Sequence, residues 1–258
     1  LSSIQAVREQ FRKEYIQSFV SLKGICQRWG LPISKGVMNK NKVEELVSES
    51  KKIPQEVKDW LLELLQSCRE LQKRLNKISK YLKEYADNDE ICQKIMSVPG
   101  IGPITATRLK ATIGDIQRFE KPKSIVAYYG LVPKSKATEH NEKKGGITHR
   151  GDRVARSLLI EGAGVVLNLA AKGFLRSKPL NKWIEKKRKL KMPWGKLCCA
   201  LAAKMLRIVR AILIQGTSFN AKIAGVARCS LPKESRNNVM GNNKLSEIPS
   251  PNGSVYIH

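Results

Sequence analysis

Two kinds of phosphate-facing chemistry can be read from residue types and their spacing. The run Ser97-Val98-Pro99-Gly100-Ile101-Gly102-Pro103-Ile104-Thr105-Ala106-Thr107-Arg108-Leu109 sets two glycines around one aliphatic residue, between two short apolar segments. Glycines so placed let the backbone turn tightly while the following helix presents free N–H groups to an anion. This is the helix-hairpin-helix pattern. Its donors are backbone groups, so it holds a duplex by its phosphates without reading base sequence. Gly100, Gly102, Thr105, Arg108 and Lys110 are therefore candidate DNA contacts, and the competing reading is an ordinary turn between helices.

The second kind is cationic. Between positions 172 and 210 thirteen Lys and Arg stand against a single acid, Glu185. A charge run is ordinarily a solvated face. Here the asymmetry of the whole sector favours phosphate contact by Lys186, Lys187 and Arg188. A polar, basic loop over 134–144 closes on Gly145-Gly146-Ile147-Thr148-His149-Arg150-Gly151-Asp152-Arg153 and adds Lys143, Lys144, Arg150 and Arg153 as DNA contacts. Metal chemistry is not indicated. His140, His149 and His258 stand near no Cys-x-x-Cys pair, which excludes a zinc finger. Six cysteines (Cys26, Cys68, Cys92, Cys198, Cys199 and Cys229) lack paired spacing and read as reduced, intracellular thiols. Asp87, Asp89 and Glu90 read as a solvated turn, and no segment resembles a signal peptide.

Charge and length bound the rest. Forty-eight basic against 22 acidic side chains leave +26 on 258 residues, 41% of them hydrophobic. Such a chain is long and apolar enough to bury one or two cores. Its self-repulsion calls for a polyanion, and nucleic acid is expected in preference to a membrane surface. Residues 197–214 approach the length of a membrane span, yet Lys204, Arg207 and Arg210 lie inside, each costing about 2.5–3.5 kcal/mol at mid-bilayer. A buried helix with a basic edge is expected there.

The elements that must position these groups are mostly helices. Ile4, Phe11, Tyr15, Leu22, Ile25 and Trp29 recur at helical spacing and end at Gly30 and Pro32. A polar connector follows to Pro54, with a short helix over 42–50. Val57, Leu61, Leu64, Cys68, Leu71, Leu75, Ile78, Leu82 and Tyr85 form an a/d seam of about four heptads. It fits an intermolecular coiled coil or a hairpin with the first helix, and both can hold. Asp152 is placed to cap a helix from Arg153 to about Ala171. The segment 183–189 continues a helix toward Pro193. The tail, rich in Ser, Asn, Gly and Pro, is expected to be disordered.

The segment 97–109, Gly114-Asp115 with Phe119, Gly130-Leu131-Val132-Pro133, the 145–152 run and Leu158-Leu159-Ile160-Glu161-Gly162-Ala163 stand in one order and spacing. In this the chain resembles the C-terminal region of DEDD-type insertion-sequence transposases, the 110/1111/116/902 group, whose relatives include pilin-gene invertases. The likeness covers about 1–219. It implies an active site in two parts, a RuvC-like domain with four metal-binding carboxylates and a C-terminal domain with a serine nucleophile. It also implies that many members are guided by a structured RNA. The chain opens at Leu1, where that family's linker begins, so the carboxylate domain is expected to lie outside it.

One stretch departs from the family pattern. Between its Gly-Leu-Val-Pro and Gly-Gly-Ile anchors the family commonly carries Ser-Ser-Gly-Gly-Lys. Ungapped, the two serines fall on Ala137 and Thr138. Thr138 keeps a hydroxyl and is the catalytic candidate, although its β-branch crowds an in-line approach to phosphorus. Glu139 opposes the electrostatic stabilisation of phosphoryl transfer, and Ser135 substitutes only if the alignment slips by two or three residues.

The expected fold is mainly α: a helical hairpin or coiled coil over 1–88, a compact helical domain with a helix-hairpin-helix over 89–216, and a disordered tail over 217–258. The expected function is that of the DNA-binding portion of an insertion-sequence transposase, truncated and catalytically impaired. The alternative is a non-enzymatic helix-hairpin-helix protein with coiled-coil oligomerisation; a third reading is one half of a split enzyme. Expected partners are double-stranded DNA, a guide RNA and further copies of the chain through the heptad helix, with no membrane. No cofactor is expected in this chain, Mg2+ belonging with the carboxylate domain. The expected location is cytoplasmic, with the nucleoid.

Overall fold

The computed structural model describes residues 1–31, 40–138 and 141–220. They belong to one compact unit, Leu1–Gly225; a second unit, Val226–His258, lies outside the described residues, as does most of the expected disordered tail. Pro32 and the Glu139-His140 pair lie outside them too.

Helix α1 (Ser2–Arg28) is stopped by Gly30, whose φ of 74° is costly for any side-chain-bearing residue. Helix α2 (Lys40–Glu49) is the short helix expected in the connector, and α3 (Gln55–Asp87) is the heptad helix. Leu61, Leu65, Cys68 and Leu75 of α3 pack with Tyr15, Phe19, Leu22 and Cys26 of α1. Arg8 Nε donates to Ser79 Oγ at 3.3 Å, and the Arg74 guanidinium lies 5.8 Å from the Phe11 ring centroid, so α1 runs antiparallel to α3. The hairpin is thus formed within one chain. Burying each of these side chains contributes about 1.5–3 kcal/mol, far more than helix propensity alone.

Helices α4 (Glu90–Met96) and α5 (Pro103–Ile113) flank the glycine turn. Helix α6 (Pro122–Tyr128) follows a 3-10 turn, Ile116–Arg118. The chain then forms strands β1 (Pro133–Thr138) and β2 (Asn141–Ile147) and helices α7 (Arg153–Ala171), α8 (Lys178–Lys189) and α9 (Trp194–Gln215). The fold is mainly α. Helix α9 is the centre of the larger core, burying Leu197, Leu201, Met205, Leu206, Val209 and Ile212 among α4, α6 and α7. Helix α7 alone among the described residues is long and apolar enough to cross a membrane, at a mean hydropathy of 1.5, and it lays Ala155, Leu159, Ala163, Val166 and Leu167 in that core. The stretch 197–214, which approaches that length in the sequence, is not such a helix.

Three expectations are corrected. The basic segment 134–144 is not a loop but most of an antiparallel hairpin. Its Lys, Ala and Glu are good helix formers, but its flanks are pinned together by Thr148 N–H on the Val132 carbonyl and His149 N–H on that of Gly130, which brings the two arms side by side for pairing. Asp89 is not a solvated turn residue: its Oδ1 caps α4 by accepting from the Cys92 N–H at 2.8 Å, and its Oδ2 pairs with Lys110. The basic edge expected on α9 is largely internal, since Lys204 and Arg210 are buried and Arg207 alone of the three is exposed.

Candidate nucleic-acid interface

The hairpin bearing the hydroxyl candidate stands on a tight backbone junction. Gly130 and Gly151 have φ of 67° and 73°. A Cβ on Gly130 would lie 2.2 Å from the Arg150 carbonyl oxygen, and one on Gly151 only 1.9 Å from that of Tyr128. Only glycine permits both the conformation and the approach. The Thr148 N–H donates to the Val132 carbonyl at 2.9 Å and the His149 N–H to that of Gly130 at 3.3 Å. Buried Arg156 donates from Nη1 to the carbonyls of Tyr129 (3.1 Å) and Arg150 (2.7 Å), tying the two halves together.

Asp152 finishes the junction. Its Oδ1 accepts from the N–H groups of Val154 (2.9 Å) and Ala155 (3.1 Å), capping α7 as the sequence predicts. Its Oδ2 accepts from Arg108 Nε at 2.6 Å, in a pair only 17% and 11% exposed. Burial pushes the Asp152 carboxyl up, but Arg108 and the two amides outweigh it and hold it below its ordinary value.

In the ladder Ser135 faces Lys144, Lys136 faces Lys143, Ala137 faces Glu142 and Thr138 faces Asn141, with a bulge between Pro133 and Ser135. Alternation sets the positions Lys136, Thr138, Asn141 and Lys143 on one face, and Ser135, Ala137, Glu142 and Lys144 on the other. The side chains of 135–138 and 141–144, those of Thr138, Lys143 and Lys144 among them, lie outside the described residues. Arg150 and Arg153 are exposed at the base.

The glycine turn divides its duties. Gly100 has φ of 86°, and a Cβ there would lie 2.6 Å from the Gly162 carbonyl oxygen and 2.7 Å from Val166 Cγ2. It is a packing glycine against α7. Gly102, by contrast, is exposed with open space around it at the start of α5. Thr105 is buried, and Gln5 Nε2 of α1 donates to Thr107 Oγ1 (2.7 Å) and the Ile104 carbonyl (3.3 Å). Lys110 pairs with Asp89 and donates to the Tyr85 hydroxyl at 2.9 Å. Burial lowers its pKa, but these two partners outweigh burial and raise it. Arg108 and Lys110 thus both brace the fold.

The basic sector is not one surface. Lys186 is exposed and Lys187 half-buried, while exposed Arg188 donates from Nη2 to the Leu167 carbonyl at 3.0 Å, at the end of α7. Lys204 lies buried with Nζ 5.3 Å from the Trp183 ring centroid, and burial, aided by Arg207, lowers its pKa. Arg210 donates to the carbonyls of Phe119 (2.6 Å) and Glu120 (2.5 Å) across the core. Among the described residues no group of three or more His, Cys, Asp or Glu could hold a metal ion.

Residues 92–176, from α4 through the hairpin and α7, match the family model described as Transposase IS116/IS110/IS902 family. The "Probable family 20 transposase" of Pseudomonas aeruginosa is 30% identical over 175 residues, covering 67% of this chain and 50% of that protein. The transposase for insertion sequence element IS1111A of Coxiella burnetii is 28% identical over 224 residues, 85% of this chain and 60% of its own length. That for IS1328 of Yersinia enterocolitica is 27% identical over 220 residues, covering 85% and 64%. These matches support an insertion-sequence transposase family. The chain spans between 50% and 64% of the length of these relatives. The transposase match encloses the whole Gly130–Gly151 junction and the strands it carries.

Sequence reasoning missed two groups at this junction. Arg156 reads as one more cation until its two carbonyl partners are seen. Tyr128, whose carbonyl meets Gly151, belongs to an aromatic pair directly before Gly130 that is visible in the sequence.

Proposed function

We propose that this chain is the DNA-binding portion of a DEDD-type insertion-sequence transposase, impaired in catalysis by its own hairpin. The observation that carries the reading is the basic hairpin on its glycine junction inside the transposase-matched segment. Double-stranded DNA is the partner, with the exposed cations Arg150, Arg153 and Lys186 among its phosphate contacts. A structured guide RNA is a further proposed partner, and DNA binding would place the chain with the nucleoid in the cytoplasm. Mg2+ would be held by the carboxylates of a RuvC-like domain, not by the residues described. The non-enzymatic helix-hairpin-helix reading is weaker because Gly100 faces α7 rather than an anion.

Impairment follows from chemistry at the strand end. A threonine stands where a less crowded serine would attack, with Glu139 beside it. The purified chain, given nicked or supercoiled DNA and magnesium, is expected to bind but to form no denaturation-resistant adduct. With a related carboxylate domain in trans, Thr138→Ser combined with Glu139→Gly and His140→Gly is expected to yield some adduct. An adduct formed by the unaltered chain and abolished by Thr138→Ala would sink the impairment.

Self-association through the heptad helix is also proposed. Within the chain Leu61, Cys68, Leu75 and Leu82 are buried, but the alternate seam positions Val57, Leu64, Leu71, Ile78 and Tyr85 are only half-buried. Beside that row stand Trp60, 71% exposed, and Tyr81, 50% exposed, three heptads apart. A continuous half-open heptad row is what a second copy of α3 would cover. Sedimentation is expected to show a dimer that Trp60→Glu with Tyr81→Glu converts to monomer. A wild-type chain that stays monomeric at tens of micromolar would remove this element.

A further inference from the structure

We infer that the Tyr128 ring, held against Arg118 at the foot of the β-hairpin, is a stacking platform for an unpaired nucleobase. The inference rests on the nucleic-acid reading above and adds a contact for which that reading has no residue.

The ring is 41% exposed yet fixed on several sides. Its hydroxyl donates to the Thr112 carbonyl at 3.4 Å. Phe119 packs against it edge-on with centroids 5.4 Å apart, and Tyr129 likewise at 5.2 Å. The Arg118 guanidinium lies 4.6 Å from the Tyr128 centroid and 4.7 Å from that of Phe119, and its Nη2 donates to the same Thr112 carbonyl at 3.2 Å. Phe119 and Tyr129 are buried and supply the apolar core; Tyr128 is left at the surface in a set orientation. A rigid, half-open aromatic loses little conformational freedom when a second π-system stacks on it.

Position supplies the ligand class. The Tyr128 backbone carbonyl abuts Gly151, so the residue that carries the ring is a backbone neighbour of the segment bearing exposed Arg150 and Arg153. Lys121 and Lys123, at the start of α6, are exposed on the same short element. Along 112–128 exposed Arg118, Lys121 and Lys123 stand against exposed Asp115 and Glu120, and of these Arg118 lies against the ring. Aromatic faces set among cations that follow a phosphate backbone are the usual platform for single strands. Inside a duplex both faces of a base are covered by its neighbours, so the ring can accept only a base that is unpaired or flipped out. A strand-transfer reaction exposes such bases where the strands part. The same stacking would serve an unpaired RNA base.

The test compares a blunt duplex with forked duplexes carrying an unpaired DNA or RNA arm, using the full chain at fixed salt. The wild type is expected to prefer a fork. Tyr128→Leu should weaken fork binding about tenfold and leave the blunt duplex within about twofold, while Tyr128→Phe keeps the preference. The arm that loses most in Tyr128→Leu identifies the strand as DNA or RNA. In the unaltered protein, 5-iodouracil in the preferred arm should cross-link to Tyr128, a readout independent of how the variants fold. Equal affinity of the wild type for fork and blunt duplex, equal loss on both in Tyr128→Leu, no loss on either, or a cross-link mapped elsewhere would each overturn the platform while duplex binding stood. A wild type that bound none of the substrates would remove the nucleic-acid reading and the platform together.

Discussion

Gly151→Ala is expected to lower stability by about 2–5 kcal/mol, the sum of overpacking and left-handed strain. Its Cβ would lie 1.9 Å from the Tyr128 carbonyl oxygen, which is backbone and cannot swing aside. The residue also sits at φ of 73°, where alanine is strained whatever the space. Relief requires the 128–130 and 150–152 segments to part, breaking the Arg156 bridge and the two backbone hydrogen bonds at the foot of the hairpin. Gly173→Ala is the matched control, with φ of 75° and nothing within 4 Å, so only about 1–2 kcal/mol of conformational strain is expected there. Denaturant midpoints for the two variants separate the causes. Equal losses would mean that the close approach contributes nothing.

Duplex affinity is expected to fall about a thousandfold between roughly 50 and 200 mM salt, on the basis of about six neutralised phosphates. The charge of +26 makes this term dominant. Each phosphate contact contributes about −0.9 to the log–log slope, so a slope near −5 is expected. Structure refines which cations carry it. Lys204 and Arg210 are buried, Arg108 and Lys110 are paired with Asp152 and Asp89, and Arg188 is tied to the Leu167 carbonyl. Lys186→Ala with Lys187→Ala should therefore reduce the slope by about two units, and adding Arg188→Ala should lower stability more than slope. An unchanged slope in the double variant would show that this run is merely solvated, and a wild-type slope near zero would sink the DNA reading.

Much of this was legible because the signals are local. The heptads of α3, the Gly30 stop after α1 and the Asp152 cap on α7 each act within about one helical turn, and each element stands where its own residues place it. Candidate site residues were less legible because a side chain's type does not reveal its partner. Lys110 and Lys186 look alike in sequence, yet one pairs with Asp89 and the other is exposed. Gly100 and Gly102 belong to one motif, yet one is packed on Gly162 and the other lies open.

By itself the sequence determined the helices, the polyanion-seeking charge and the order of motifs that resembles a transposase. These depend on composition and on contacts a few positions apart. Only the tertiary structure decided that 134–144 becomes a hairpin, since strand pairing there follows from the meeting of Gly130 with Arg150 and of Tyr128 with Gly151. It alone decided which cations are withdrawn from the surface: Arg108 reaches an acid 44 positions away and Arg210 a carbonyl 91 positions away. It alone brought Arg118 under Tyr128. The Arg108 and Arg210 contacts come from closing a long loop and burying a polar group beside its partner, and no local pattern of residues encodes which partner that will be.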